Sequence, residues 1–233
     1  LSFGHRWAGT NVVATDDGDD GRGLCSPYNG WYNALHGLIF NNGWPYTMTP
    51  DLCLMYARRV RTLMDTMLQC TNVPRNDLIY ETRIGELLTM LKPLADADRA
   101  KWGFPSPPDG FFNYDHLMID EGVNELTNYY FAPRRWHLFY THNIARWGIL
   151  PNAQPDDATV DFGAIELCPA SNNQDEEYIE IRNTNRFALD ISGWRISNAV
   201  DYVFQPGTVI LSNSSLFVTP NALAFRARSV SPK

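Results

Sequence analysis

A chain of 233 residues, 44% hydrophobic and 19% charged, has material for one large core or two ordinary ones, and is not a disordered tail. Its net charge of −7 excludes the basic surplus of a nucleic-acid binder. No apolar run reaches the roughly 18 residues of a membrane span, so none is expected.

Residues 1–26 read as a loop that carries the acidic run Asp16, Asp17, Asp19 and Asp20. A calcium-loop register opening at Asp16 fails, because Gly18 and Pro27 stand where an acid and a Glu are required. A solvated acidic loop is the simpler reading; an irregular metal loop is the other. A first helix is expected over "SPYNGWYNALHGLIF", with Ser26 as its N-cap and Pro27 in its first turn.

A second helix repeats the device with Thr49, Pro50 and Asp51 at its start. Leu52, Tyr56, Val60, Leu63 and Met67 recur at helical spacing and are expected to face a core. Arg58, Arg59 and Arg61 fall opposite and are expected to form a solvated face, a phosphate or partner site being the lesser reading. A third helix is predicted from Asn76 or Asp77 to about Met90. Its stripe is Leu78, Ile84, Leu87, Leu88 and Leu91, and Pro93 should end or kink it.

"FPSPPDGFF" (104–112) reads as a loop. The last helical stretch, about His116–Asn143, should be broken in two by Pro133. His137 and His142 lie five apart, which on an α-helix sends them to different faces, so the H-E-x-x-H chemistry of a zinc hydrolase is absent. No G-x-S-x-G elbow and no phosphate-loop motif occurs. Cys25, Cys53, Cys70 and Cys168 contain no C-x-x-C pair, which argues against zinc. Their even number permits two disulfides, and small unpaired core residues are the simpler reading.

"GILPNAQPDD" (148–157) reads as a linker. Beyond it the hydrophobic period changes from 3.6 to 2. "YIEIR", "WRIS", "YVF", "TVI" and "LFV" are short strand candidates separated by Asn, Asp, Gly and Pro, the pattern of a β-sandwich. In "ALDISGWRIS", Leu189 and Ile191 should point to one side and Asp190 to the other. Gly193 should allow a turn, and Trp194 should anchor the core. The expected fold class is therefore α+β in two domains: helices first, then an immunoglobulin-like β-sandwich.

"AIEL" (164–167), "EYIEIRN" (177–183), "LDISGWRIS" (189–197), "YVFQPGTVI" (202–210) and "LFVTPNALAFRAR" (216–228) together resemble the lamin-tail domain. Closing strands are expected past Lys233, which would leave the sandwich over 158–233 incomplete. Residues 1–147 are similar to the C-terminal helical portion of the spore-coat protein H (CotH) kinase-like family. The similarity is carried by "LSFG" (1–4), "YNGWYNALHGLIF" (28–40), "YARRVRTLMDTML" (56–68), "RIGELLTMLKPLADADRAKWG" (83–103) and "ELTNYYFAPRRWHLF" (125–139).

The resemblance implies a bacterial, secreted or envelope-associated atypical protein kinase, a transferase moving the ATP γ-phosphate to Ser of surface proteins. Three Lys against sixteen Arg fit a GC-rich bacterial source. ATP and Mg²⁺ would belong to the full-length parent, whose metal-binding acids are expected before Leu1. No catalytic residue carries over to this chain, and no metal ligand is assigned. His5 and Arg6, beside the matched "LSFG", are the candidate phosphate contacts, and the chain alone is expected to be inactive. The alternative is a non-enzymatic surface module in which the lamin-tail-like domain binds a cell-wall polymer, a sugar or a protein.

Overall fold

The computed structural model describes residues 50–103, 118–146 and 150–233. The first predicted helix, the acidic run, the 104–112 loop, Cys25 and the pair His5 and Arg6 lie outside the described residues. The chain divides into two compact units. Among the described residues one runs within Leu63–Leu150, and the other joins the helix up to Thr62 to Pro151–Lys233.

In the helical unit a π-turn over Met64–Leu68 and a 3₁₀ turn over Arg75–Asp77 lead into helix α2, Ile79–Trp102 (α1 being Pro50–Leu63). Pro93 does not end α2, the first of the two effects expected of it from the sequence. Proline removes one backbone bond, but "LADADRAKW" beyond it is rich in strong helix formers. Lys92 and Asp96 also pair across the proline at 3.1 Å. The helix stops at Gly103, whose φ of +67° and N–H to the Arg99 carbonyl make a left-handed C-cap. Of the expected stripe, Leu78 is buried whereas Leu87 and Leu91 are exposed.

The following stretch stays helical past Pro133, which is the second departure. It alternates α3 (Ile119–Asn124), a π-segment (Glu125–Phe131), α4 (Ala132–Trp136) and a second π-segment (His137–Thr141). The first π-segment explains the tolerance. The Ala132 N–H reaches back five residues to Thr127, and Pro133 falls in the first turn of α4, where a missing N–H costs least. Tyr80 stacks on Phe131 with centroids 5.4 Å apart, which joins α2 to this stretch.

Among the described residues the second unit contains seven strands: β1 Asp161–Glu166, β2 Tyr178–Asn183, β3 Leu189–Asp190, β4 Arg195–Ile196, β5 Tyr202–Val203, β6 Val209–Ile210 and β7 Ser214–Val218. Antiparallel β1-β2-β7 form a three-stranded sheet, and β3-β6 and β4-β5 form two ribbons. Ile181, Leu189, Ile191, Ile196, Phe204 and Ile210 make the core, with Trp194 packed against it as expected. Gly193 and Gly207 take φ of +77° and +92°, the turns that "SGW" and "QPGT" spell out. Asn183 is a buried hub. Its amide donates to the Phe187, Ile210 and Leu211 carbonyls, tying β2 to the loop before β3 and to β6. A short helix, α5 (Ala222–Arg226), is capped by the Asn221 side chain.

Candidate functional site

Helix α1 lies on the lamin-tail-like strands with the face opposite to the one its periodicity suggests. Cys53, Ala57, Arg58 and Arg61 are buried, while Leu52, Tyr56, Leu63 and Met67 are 36–45% exposed. The arginines are therefore not a solvated face. Small Cys53 and Ala57 permit close approach, and the guanidinium groups of Arg58 and Arg61 meet backbone carbonyl oxygens. Arg58 donates to the Asn152 carbonyl at 2.9 Å and lies over the Phe187 ring at 5.8 Å. Arg61 donates to the Pro151 carbonyl at 3.1 Å.

Between them Arg59 reaches Asp190, donating at 3.1 Å to its carboxylate and at 3.1 Å to the Ser192 hydroxyl. Asp190 does leave the side taken by Leu189 and Ile191, as alternation requires, but its own side is covered as well. Burial disfavours its charge. The Ser192 hydroxyl and N–H, Arg59 and Thr62 outweigh that and hold the carboxyl below its ordinary range. Gln154 brackets the Asp190 backbone: its amide donates to the carbonyl at 3.1 Å, and its oxygen accepts from the N–H at 2.9 Å. The segment that reads as a linker is thus pinned at Pro151, Asn152 and Gln154. The spacing Asp190-x-Ser192, an Asx turn, is the sequence signal that identifies this centre.

A second polar centre sits on the sheet. Glu180 and Arg182 share one face of β2 because strand side chains alternate, and Ser215 stands opposite Arg182 in the β2–β7 register. The Glu180 carboxylate accepts from Arg182 at 2.8 Å, from the Ser215 hydroxyl at 2.6 Å and from the Ala164 N–H at 2.9 Å. Those donors, Arg182 foremost, pull its carboxyl down to about 2. The Ala164 N–H is available because the β1–β2 register slips between Phe162 and Ile165. A Cβ on Gly163 would come within 2.2 Å of the Glu180 carboxylate, so this bulge needs glycine. On edge strand β1 Phe162 and Ile165 are exposed, as is Leu167 just past its end.

In the helical unit Arg135 and Glu81 form a buried two-point pair at 2.9 and 3.0 Å, and Arg135 also donates to the Leu68 carbonyl at 2.9 Å. His137 and His142 meet, against the expectation from α-helical spacing. The π-turn closes with the His142 N–H on the His137 carbonyl, five residues back, and the Nε2 atoms stand 3.0 Å apart. Cys70 and Cys168 are free thiols, and burial pushes the Cys53 thiol up. Among the described residues no three His, Cys, Asp or Glu side chains gather into a metal cage, and no helix is long and apolar enough to cross a membrane.

No curated protein and no solved structure matches the chain. Residues 154–231 match the family model described as Lamin Tail Domain, and the antiparallel strands there are consistent with its immunoglobulin-like fold, so the C-terminal part of this chain carries a lamin tail domain.

Proposed function

We propose that the chain is part of a bacterial secreted or envelope-associated CotH-like atypical protein kinase, in which the lamin tail domain is a binding module built onto a helix of the kinase-like portion. Phosphoryl transfer from ATP with Mg²⁺ to Ser of surface proteins is the work of the full-length parent. The observation that carries this reading is the seating of α1. The block "YARRVRTLMDTML", one of those resembling the CotH family, supplies Arg58, Arg59 and Arg61 to carbonyls and a carboxylate of the lamin-tail unit.

The test is ATP-dependent phosphorylation by the full-length parent with Mg²⁺, followed by mapping of the modified residues. Phosphoserine on envelope proteins is expected from the parent and not from this chain alone. A parent that transfers no phosphate removes the kinase reading.

A second reading, a non-enzymatic surface module, is favoured by the exposed Phe162 and Ile165 on the β1 edge and Leu167 just past its end. An aromatic and aliphatic strip on a sheet edge suits a sugar ring or an extended protein segment. Binding of the chain to isolated wall polymer, to glycans or to envelope proteins, weakened by Phe162→Ser, would support it. Blank results across all three would remove it.

A further inference from the structure

Helix α2 carries an exposed apolar stripe that neither reading above employs. Its packed side is the row Glu81, Leu88, Lys92 and Ala95: Glu81 pairs with Arg135, and Lys92 reaches Asp120 at 3.1 Å. Turned away from that row, Leu87, Met90, Leu91 and Leu94 are 37–69% exposed. Their helical spacing puts them on one stripe. Arg83 lies one turn before Leu87 and Asp98 one turn after Leu94, so the stripe ends in charges of opposite sign, both exposed. We infer that this stripe is the contact through which a second copy of the chain pairs with the first, the two α2 helices running antiparallel about a two-fold axis between Met90 and Leu91.

Self-complementarity decides the occupant. The stripe is two neighbouring rows of residues four apart, Arg83-Leu87-Leu91 and Met90-Leu94-Asp98. Reversed in direction, each row reads as the other with its charge inverted. A two-fold axis between Met90 and Leu91 therefore sets Leu87 against the partner's Leu94, Met90 against the partner's Leu91 and Arg83 against the partner's Asp98, each pairing occurring twice. A parallel pairing would set like charges against each other at both ends. Arg83 already pairs with Glu86 at 2.6 Å, but both side chains are more than half exposed, and the guanidinium has further N–H groups for a second carboxylate. The contact runs along about 22 Å of helix, and at the ~20° crossing of helix bundles its ends stay within side-chain reach. Each copy offers roughly 400 Å² of apolar surface, at the low end for a specific interface. The dimer is therefore reversible, with a Kd on the order of 100 μM.

The experiment is sedimentation equilibrium of the full 233-residue chain from about 10 μM to about 1 mM. A monomer–dimer equilibrium is expected. Arg83→Glu and Asp98→Arg each set like charges against each other twice, and each should weaken the dimer by about tenfold or more. Mixing the two variants makes both pairs opposite again, so a heterodimer should form with about the original Kd. Loss in each variant alone with recovery on mixing is the pattern of the antiparallel register. Leu94→Gln should also weaken the dimer. In dilute samples all three variants should melt as the unaltered chain does, because the three side chains are exposed in the monomer. A chain that stays monomeric throughout the range, charge variants that still dimerise alone, or a mixture that does not pair overturns the assignment. A lowered dilute melting temperature in Leu94→Gln would show that the chain's own residues cover the stripe, and overturns it as well.

Discussion

Arg59 and Asp190 stand 131 residues apart in sequence and meet at 3.1 Å, the arginine 26% exposed and the aspartate 1%. That asymmetry sets the energetics. The arginine keeps part of its hydration, whereas the carboxylate depends on its protein partners. Asp190→Ala strands the Ser192, Thr62 and Arg59 donors and should cost about 2–4 kcal/mol. Arg59→Ala should cost about 1–2 kcal/mol, since Ser192 still serves the carboxylate. In a double-mutant cycle on denaturant midpoints the double variant should lose less than the sum of the singles. Strict additivity would mean that the contact carries no energy.

Glu81 and Arg135 are both nearly dry and joined at two points, so removing either leaves a buried charge. Arg135→Ala should cost about 3–5 kcal/mol. Arg135→Lys should recover little, because an ammonium group cannot reproduce the two-point fork and also reach the Leu68 carbonyl. Thermal unfolding of the three proteins checks this; full recovery by Lys would show that charge alone matters.

Gly163→Ala places a methyl group where the Glu180 carboxylate lies. That carboxylate is fixed by three donors and cannot move without surrendering some of them. The variant should therefore melt lower, and the Glu180 carboxyl should titrate closer to its ordinary range in a carbon-13 NMR titration. An unmoved Glu180 would mean that the β1 backbone yields instead.

Glu180 also gives the lamin tail domain a defined acid response. Its folded carboxyl lies at about 2, below the ordinary value of 4.5. The unfolded state therefore binds the proton more readily. The stabilisation is complete above about pH 4.5 and is lost as pH falls from there towards about 2. Glu180→Gln should flatten the slope of stability against pH across that window and change little of the slope above it. Melting temperatures measured from pH 2 to pH 6 decide the matter; identical slopes in both proteins would rule out the linkage.

The lamin tail strands are legible because their causes are local. Alternation in "YIEIR" and glycine at positive φ in "SGW" and "QPGT" each follow from a few adjacent residues, and both appear where those residues place them. The helical part is less legible because its cues conflict. Pro93 and Pro133 are local breakers, but the helix formers after the first and the wide turn before the second absorb the missing bonds. His137 and His142 look unrelated under a 3.6-residue period and become neighbours only through the π-turn, which no side-chain pattern announces.

Helix α1 marks the boundary between the two kinds of knowledge. Its existence, its start near Pro50 and its amphipathic arrangement are written in propensity and spacing. Which face it buries is not, because burial is settled by what stands opposite. The arginines donate to the carbonyls of Pro151 and Asn152 and to the carboxylate of Asp190, contacts that the leucines of the Leu52–Met67 stripe cannot make. Local chemistry can establish an element and its two faces. The choice between them belongs to partners roughly a hundred residues away, which accept the hydrogen bonds that the arginines donate.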